Sequence, residues 1–262
     1  MPARERSFKV EAIVLRHSDW GEADRLLSLY TQSMGKVRAI AKGVRKLQSR
    51  KAGHLEPFTR VNLLLARGRD MFIITQAETL DAHQPLRENL ERLGYAAYIV
   101  ELLDQFTFEE GENINLYRLL AESLGRLDTF PDPALVVRYY EVRILDLLGF
   151  RPQLFRCVSC QAEVKPEDQY LSAEMGGVLC PRCGAIIPGA QPISMTALKY
   201  LRHFQRSSFQ EAGRVRLSPG INKEMEMLVE NYLTYHLERG LKSPAVIRRL
   251  RNTFQGETSS KD

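Results

Sequence analysis

The sequence has no long apolar run. Purely hydrophobic stretches such as Leu63-Leu64-Leu65-Ala66 end after a few residues, far short of the roughly 20 that span a bilayer. Met1 to Ser7 leads directly into alternating sequence without the apolar core of a secretory signal. Neither membrane insertion nor export is expected, and the chain reads as a soluble cytosolic protein. P-loop, GxGxxG, GxSxG and HExxH patterns are all missing, so nucleotide hydrolysis and the commonest hydrolytic chemistries lack a signature. There is no internal repeat and no low-complexity tract. Tryptophan occurs once and cysteine four times in 262 residues.

The four cysteines form two CxxC pairs, Cys157/Cys160 and Cys180/Cys183, with 19 residues between them. In a reducing compartment this pattern favours a metal over disulfides. Each CxxC makes a knuckle that aims two sulfurs at one point, and two knuckles close a tetrahedron around one zinc ion. Four protein ligands leave no open position, so such a zinc organises the fold and does not activate water. A redox dithiol pair and unliganded thiols are the alternatives. His54-Leu55-Glu56 fits half of a zinc-deaminase signature, but Pro181 lies inside the second cysteine pair and not before the first. His54 reads as an ordinary loop residue.

What is present is hydrophobic content enough for a core, 44%, and a modest formal charge of +5. Taken by segment, that charge is +7 in 1–80, −7 in 81–150, zero in 151–190 and +5 in 191–262. Basic ends around an acidic middle suggest separate modules, at least one of which meets a polyanion.

Residues 8–80 read as five short strands. Phe8–Arg16 and Arg25–Thr31 flank a turn containing Asp19-Trp20-Gly21, and Lys36–Lys42 alternates with Val37, Ala39 and Ala41 on one face. Lys36, Arg38 and Lys42 take the other face, with Ile40 its one apolar member. Pro57–Ala66 buries Val61, Leu63 and Leu65, and a last strand follows the Arg67-Gly68-Arg69 turn. Five strands in so short a span match an OB-fold barrel. From about 83 to 148 the apolar spacing becomes helical, and Asp132, Pro133 and Gly149 frame one helix. Helices are also expected over Ser194–Phe204, from Ser218-Pro219, and from Ser243-Pro244 to Phe254.

The fold expected is therefore α+β: an OB-fold nucleic-acid-binding domain over 1–80, then an α-helical domain carrying a four-cysteine zinc module. The helical domain occupies 81–150 and 191–255 with the zinc module at 151–190, and 256–262 is a flexible tail. Between Lys36 and Arg69 there are ten Lys or Arg and a single acid, Glu56. Nine of these, Lys36, Arg38, Lys42, Arg45, Lys46, Arg50, Lys51, Arg67 and Arg69, are the candidate nucleic-acid contacts. Contact with phosphate from such a patch is salt-sensitive and largely indifferent to base sequence. Trp20, Tyr30, Phe58 and Phe72 are candidate stacking platforms for bases; core packing competes for most of them, and Trp20 stands apart because it lies in a turn. No catalytic residue is expected. A zinc-ribbon transcription or RNA-binding factor is the alternative reading.

Glu11-Ala-Ile-Val-Leu-Arg16, Gly21-Glu-Ala-Asp-Arg-Leu-Leu27, Tyr30-Thr31, Gly35-Lys-Val-Arg38, Ala41-Lys-Gly43 and Leu55-Glu-Pro-Phe58 together resemble the bacterial RecO family. The resemblance continues through Tyr140 to Pro152, Cys157 to Cys160 and Gly176 to Cys180. It implies an OB-fold, a helical domain and a zinc module with one structural Zn2+ per chain. It also implies a non-enzymatic mediator of DNA repair and recombination, cytoplasmic and nucleoid-associated. Such a mediator binds single- and double-stranded DNA and anneals complementary strands without ATP. Its implied partners are RecR, single-strand-binding protein and, in many bacteria, RecF, and it helps load RecA onto coated gaps. Some members of the family lack the cysteines; here all four are present.

Overall fold

The computed structural model describes residues 7–109, 111–237 and 240–249. Five strands, β1 (Ser7–Trp20), β2 (Asp24–Thr31), β3 (Gly35–Ala41), β4 (Arg60–Arg67) and β5 (Phe72–Asp81), close into a barrel in the order β1-β2-β3-β5-β4. This is the five-stranded OB-fold expected from the alternation. β1 is long enough to serve two partners because it bends: Ser7–Ile13 pairs with β4, Ala12–Trp20 pairs with β2, and a register shift falls between Val14 and Arg16. The β1–β2 turn is tighter than the sequence suggests, with Trp20 still paired to Asp24 and Gly21 at φ +56°, which a glycine adopts without strain.

The barrel core is the alternate residues of each strand. Val10, Ala12, Val14, Leu27, Leu29, Val37, Ala39, Ala41, Val61, Leu63, Leu65 and Ile74 are buried together with Val44 and Leu55 from the β3–β4 loop. The inward set on β3 and β4 is the one the two-residue period predicts. Closure is slender where β3 meets β5, a parallel pairing of Ala39 with Phe72 and Ile40 with Ile73.

Packing divides the described chain into two units, one comprising 7–129 and 243–249 and the other residues from 130 to 242. The division falls elsewhere than the change in sequence character near residue 80. The helices α1 (Gln84–Arg87), α2 (Leu90–Phe106) and α3 (Ile114–Thr129) share the first unit with the barrel. Specific polar links hold them there. Asp104 near the end of α2 pairs with Lys36 of β3 at 2.7 Å and with Arg16 of β1 at 3.0 Å. Tyr117 of α3 donates to Glu11 of β1 at 2.7 Å, and buried His83 binds Asp128 of α3 through Nδ1 at 2.6 Å. Gly35 opens β3 with φ +65°, and a Cβ there would collide with the Gly111 carbonyl, so the chain after α2 presses directly on the strand start.

The second unit is helical around a small sheet. α4 (Pro133–Leu147) has Asp132 as its N-cap, accepting from the Leu135 amide at 3.0 Å, Pro133 in its first turn, and Gly149 in the left-handed region past its end, as the sequence predicts. The strands β6 (Gln169–Ser172), β7 (Gly177–Leu179) and β8 (Gln191–Ile193) form an antiparallel sheet ordered β7-β6-β8, with the short helix α5 (Pro181–Gly184) between β7 and β8. Then follow α6 (Met195–Arg206), α7 (Phe209–Ala212) and α8 (Pro219–Leu237). Ser194 caps α6. Tyr139 of α4 meets Phe204 and Phe209 edge-on at 6.0 and 5.3 Å. Residues 243–249 are helical; the remainder of the expected last helix and the tail 256–262 lie outside the described residues.

The Asp104 contacts carry a prediction. Burial of Asp104 favours the neutral acid, but hydrogen bonding and charge from Lys36, then from Arg16, outweigh it and hold the carboxyl below its usual range. A carboxyl whose folded pKa is depressed stabilises the fold above its unfolded value, about 3.9, and that contribution disappears as pH falls through the folded value. Asp104→Asn should therefore cost about 2 kcal/mol at neutral pH, measured by urea unfolding. The two proteins should converge in stability once the pH drops below the ordinary aspartate range.

Candidate functional site

The cysteines come together without any long-range help. In the first knuckle the Cys157 carbonyl accepts from the Gln161 amide at 2.9 Å, and Gln161 takes positive φ to complete the turn. In the second, the Cys180 carbonyl accepts from Gly184 at 2.8 Å as α5 begins. The two knuckles are held side by side by main-chain bonds, Val158 to Val178 at 2.9 Å and Val178 to Gln153 at 2.8 Å. Gly177 makes that possible, since a Cβ there would stand 2.9 Å from the Gln153 amide nitrogen.

The four sulfurs lie within 4.8 Å of one another, and Cys160 Sγ to Cys180 Sγ is 3.8 Å. A tetrahedron with metal–sulfur bonds near 2.3 Å has sulfur–sulfur edges of about 3.8 Å. All four thiols are free of disulfides. Burial opposes ionisation of Cys157, yet the backbone amides of Cys160, Cys180 and Ser159 overcome it and bring the thiol down to about 6, as amides directed at a thiolate do. At Cys183 the Ser159 hydroxyl favours the thiolate, but the neighbouring thiols push the group up, since thiolates crowded together repel. Donor type, number and spacing are those of a closed structural metal site. His54, tested in sequence as a ligand, instead accepts from the Thr79 amide at 3.2 Å and fastens the β3–β4 loop to β5.

The nine basic residues separate into three groups. Lys36 and Lys51 are built into the fold: the Lys36 ammonium is only 14% exposed against Asp104 and donates to the Asp104 carbonyl. Lys51 donates to the carbonyls of Lys42 at 3.2 Å and Ile74 at 3.0 Å, and burial lowers its pKa, with Asp24 opposing. Arg38 and Arg45 are exposed but paired, Arg38 with Glu109 and Arg45 with Asp19 at 3.2 Å. Lys42, Lys46 and Arg50 on the β3–β4 loop and Arg67 and Arg69 at the β4–β5 turn are exposed. These five have no ion pair among the described residues.

The acid inside the basic run is neutralised as well. Glu56 binds Arg25 at 2.9 Å and faces His17 at 3.4 Å; burial raises its pKa, but Arg25 and His17 prevail and lower it. The loop end of the barrel is thus positive without a competing buried carboxylate. At the other group, Arg67 and Arg69 rim a cleft of about 190 Å3 that also holds Lys36, Arg38, Phe72 and Glu109, where β3 and β5 part.

Of the candidate stacking rings, Tyr30 is fully buried, and burial drives its hydroxyl up to about 12. Phe72 packs edge-on against Phe8 at 5.6 Å and Phe58 is half-buried. Trp20 alone of the four is exposed. Asp104 and Glu109 are the residues that sequence reasoning passed over, since the sequence shows them only as members of the acidic segment 81–150. Their sign was visible, but no spacing rule reveals that an acid on one element will meet a strand nearly seventy residues earlier. No helix among the described residues is long and apolar enough to cross a membrane.

The family model for Recombination protein O N terminal matches residues 6–83, and that for Recombination protein O C terminal matches 87–245. The DNA repair protein RecO of Roseiflexus sp. (strain RS-1) is 42% identical over 252 residues, covering 96% of this chain and 89% of that protein. The protein of the same name from Pelotomaculum thermopropionicum is 37% identical over 242 residues, 92% of this chain and 94% of the other. That of Thermoanaerobacter sp. (strain X514) is 32% identical over 249 residues, 94% and 99% of the two chains. An OB-fold barrel with a cationic loop end, a helical part with four converging thiols, and these matches in sequence order lead to one conclusion: the chain belongs to the RecO family of DNA repair and recombination proteins.

Proposed function

We propose that the protein is a non-enzymatic DNA-binding mediator whose contact surface is the loop end and β4–β5 turn of the barrel. The observation that carries this reading is the group of five exposed cations, Lys42, Lys46, Arg50, Arg67 and Arg69, on a fold where the acids Asp19, Glu56, Asp104 and Glu109 are paired with other cations. Arg38 and Arg45 join the surface where DNA phosphate displaces Glu109 and Asp19. Lys36 and Lys51 support it from beneath by holding α2 and the loop in place. Cations on a rigid barrel neutralise phosphates and release counterions, which supplies affinity for single and double strands alike. Two strands held against the same positive field repel each other less, so complementary bases pair without a covalent step and without ATP. Family membership supports the wider setting: a cytoplasmic, nucleoid-associated protein acting with RecR, and with RecF where present, to load RecA onto DNA coated by single-strand-binding protein.

The four thiolates are proposed to hold one zinc ion, which the sulfur donor set and tetrahedral spacing favour. The residues Cys157, Cys160, Cys180 and Cys183 would hold it, and the ion would fasten the two knuckles together. It supplies charge neutralisation and cross-linking, not a reactive water.

Annealing of complementary oligonucleotides coated with single-strand-binding protein, in the absence of ATP, tests the activity directly; no acceleration over the uncatalysed rate would overturn it. Simultaneous charge reversal at Lys42, Lys46 and Arg50 is expected to weaken single-strand binding and to flatten the slope of log affinity against log salt by about 2, at roughly 0.7 per lost phosphate contact. An unchanged slope in fluorescence anisotropy would refute the assignment of this surface. Metal analysis of protein purified without added zinc should return one zinc per chain. Cys160→Ser should lower that content and the melting temperature together.

A further inference from the structure

The loop end of the barrel exposes two large apolar side chains for which folding gives no reason. Trp20, the chain's single tryptophan, is 51% exposed at the end of β1, and Leu47 is fully exposed on the β3–β4 loop. The loop has its own anchors in the barrel core, Val44 and Leu55, so Leu47 is not needed to hold it. Lys46 accepts from the Ser49 amide at 2.9 Å, which places Leu47 and Gln48 at the apex of a four-residue turn, where glycine, asparagine or aspartate is the usual choice.

The two turns are fastened to each other. The Arg45 amide donates to the Ala23 carbonyl at 2.9 Å, its guanidinium donates to the Glu22 carbonyl at 3.3 Å and pairs with Asp19 at 3.2 Å, and the Gly43 amide donates to the Asp24 carboxylate at 2.7 Å. Trp20 adjoins Asp19, and Leu47 lies two residues beyond Arg45. Both are thus presented from one pre-ordered end, flanked by the exposed cations Lys42, Lys46 and Arg50. Of the three acids at this end, Asp19 of β1 is paired, Asp24 of β2 is engaged by Gly43, and Glu22 in the turn has no ion pair among the described residues.

An aromatic face and an aliphatic side chain set among cations match one kind of ligand, a strand whose phosphates meet the cations and whose unpaired bases meet the apolar groups. We propose that Trp20 is a stacking platform for unpaired bases of single-stranded DNA and that Leu47 abuts the stacked base from the neighbouring turn. The inference rests on the barrel end being the DNA-binding surface and adds which part of the DNA it reads. Because every base has a π-face, stacking here confers a preference for unpaired over paired strands without preference for sequence. A platform of this kind holds a strand with its bases splayed from the phosphates, ready for a complement.

The single tryptophan makes the test direct. The intact protein is titrated with oligothymidylate and with a length-matched abasic oligomer, following tryptophan emission and, with labelled oligomers, anisotropy. Expected are quenching by oligothymidylate, little change with the abasic strand although it binds, and loss of about tenfold in affinity for oligothymidylate on Trp20→Ala. Trp20→Phe, which keeps a π-face, should recover most of that loss, and Leu47→Ser should cost about threefold. The salt slope should stay the same in all three variants, since no phosphate contact is removed. Unaltered emission at saturating oligothymidylate, or equal affinity of wild type and Trp20→Ala, overturns the proposal, and an apolar protein partner then becomes the occupant of this end. If charge reversal at Lys42, Lys46 and Arg50 still weakens binding in that case, the DNA-binding surface stands and only the base contact falls; if neither change has an effect, both fall.

Discussion

A half-buried ion pair between Lys36 and Asp104 governs how the first unit of this protein is organised. Lys36 points outward from β3 on the same face as Arg38, and the two would otherwise be left as adjacent unpaired cations on the strand. Asp104, carried in near the end of α2, cancels Lys36 and draws on Arg16, and Glu109 follows onto Arg38. Desolvating such charges is costly, and only close geometry and additional hydrogen bonds offset it. Those bonds are present: Lys36 also donates to the main chain at Asp104. Helices α2 and α3, which the charge pattern sets apart from the barrel, thereby become part of the barrel unit.

The same pairings decide where the barrel leaves positive charge without an ion-pair partner. With Lys36 and Lys51 engaged internally and Arg38 and Arg45 matched by acids, the five candidate cations left without an ion pair among the described residues are Lys42, Lys46 and Arg50 on the β3–β4 loop and Arg67 and Arg69 at the β4–β5 turn. Loops on a rigid barrel are where an OB-fold ordinarily places its ligand contacts. On the proposed function, phosphate would have to compete with Glu109 and Asp19 for Arg38 and Arg45. The apolar pair at the loop end, Trp20 and Leu47, lies where bases would follow their phosphates.

The thiol cluster obeys a different logic. Its four sulfurs are brought together by two tight turns and a few main-chain bonds between adjacent segments, so almost nothing beyond residues 153–184 is required to assemble it. The amides directed at Cys157 and the close approach allowed by Gly177 bring four sulfur donors to one point. A metal held there, as proposed, would cross-link two knuckles joined otherwise by a few main-chain bonds.

Local rules therefore carried much of this protein. Alternation placed Val37, Ala39, Ala41, Val61, Leu63 and Leu65 inside the barrel, Asp132, Pro133 and Gly149 bounded α4, and the CxxC spacing located the thiol cluster, because each depends on neighbours within one turn or one strand. Segment charge pointed to a positive surface on the barrel but not to which of its cations stay without an ion pair. Only the tertiary structure decided that α2 and α3 pack with the barrel, that Lys36 and Lys51 are internal supports, and that Trp20 stays exposed while Tyr30 is buried. Ion pairs between residues far apart in sequence depend on how strands and helices are brought together, and no periodicity within either partner encodes that meeting.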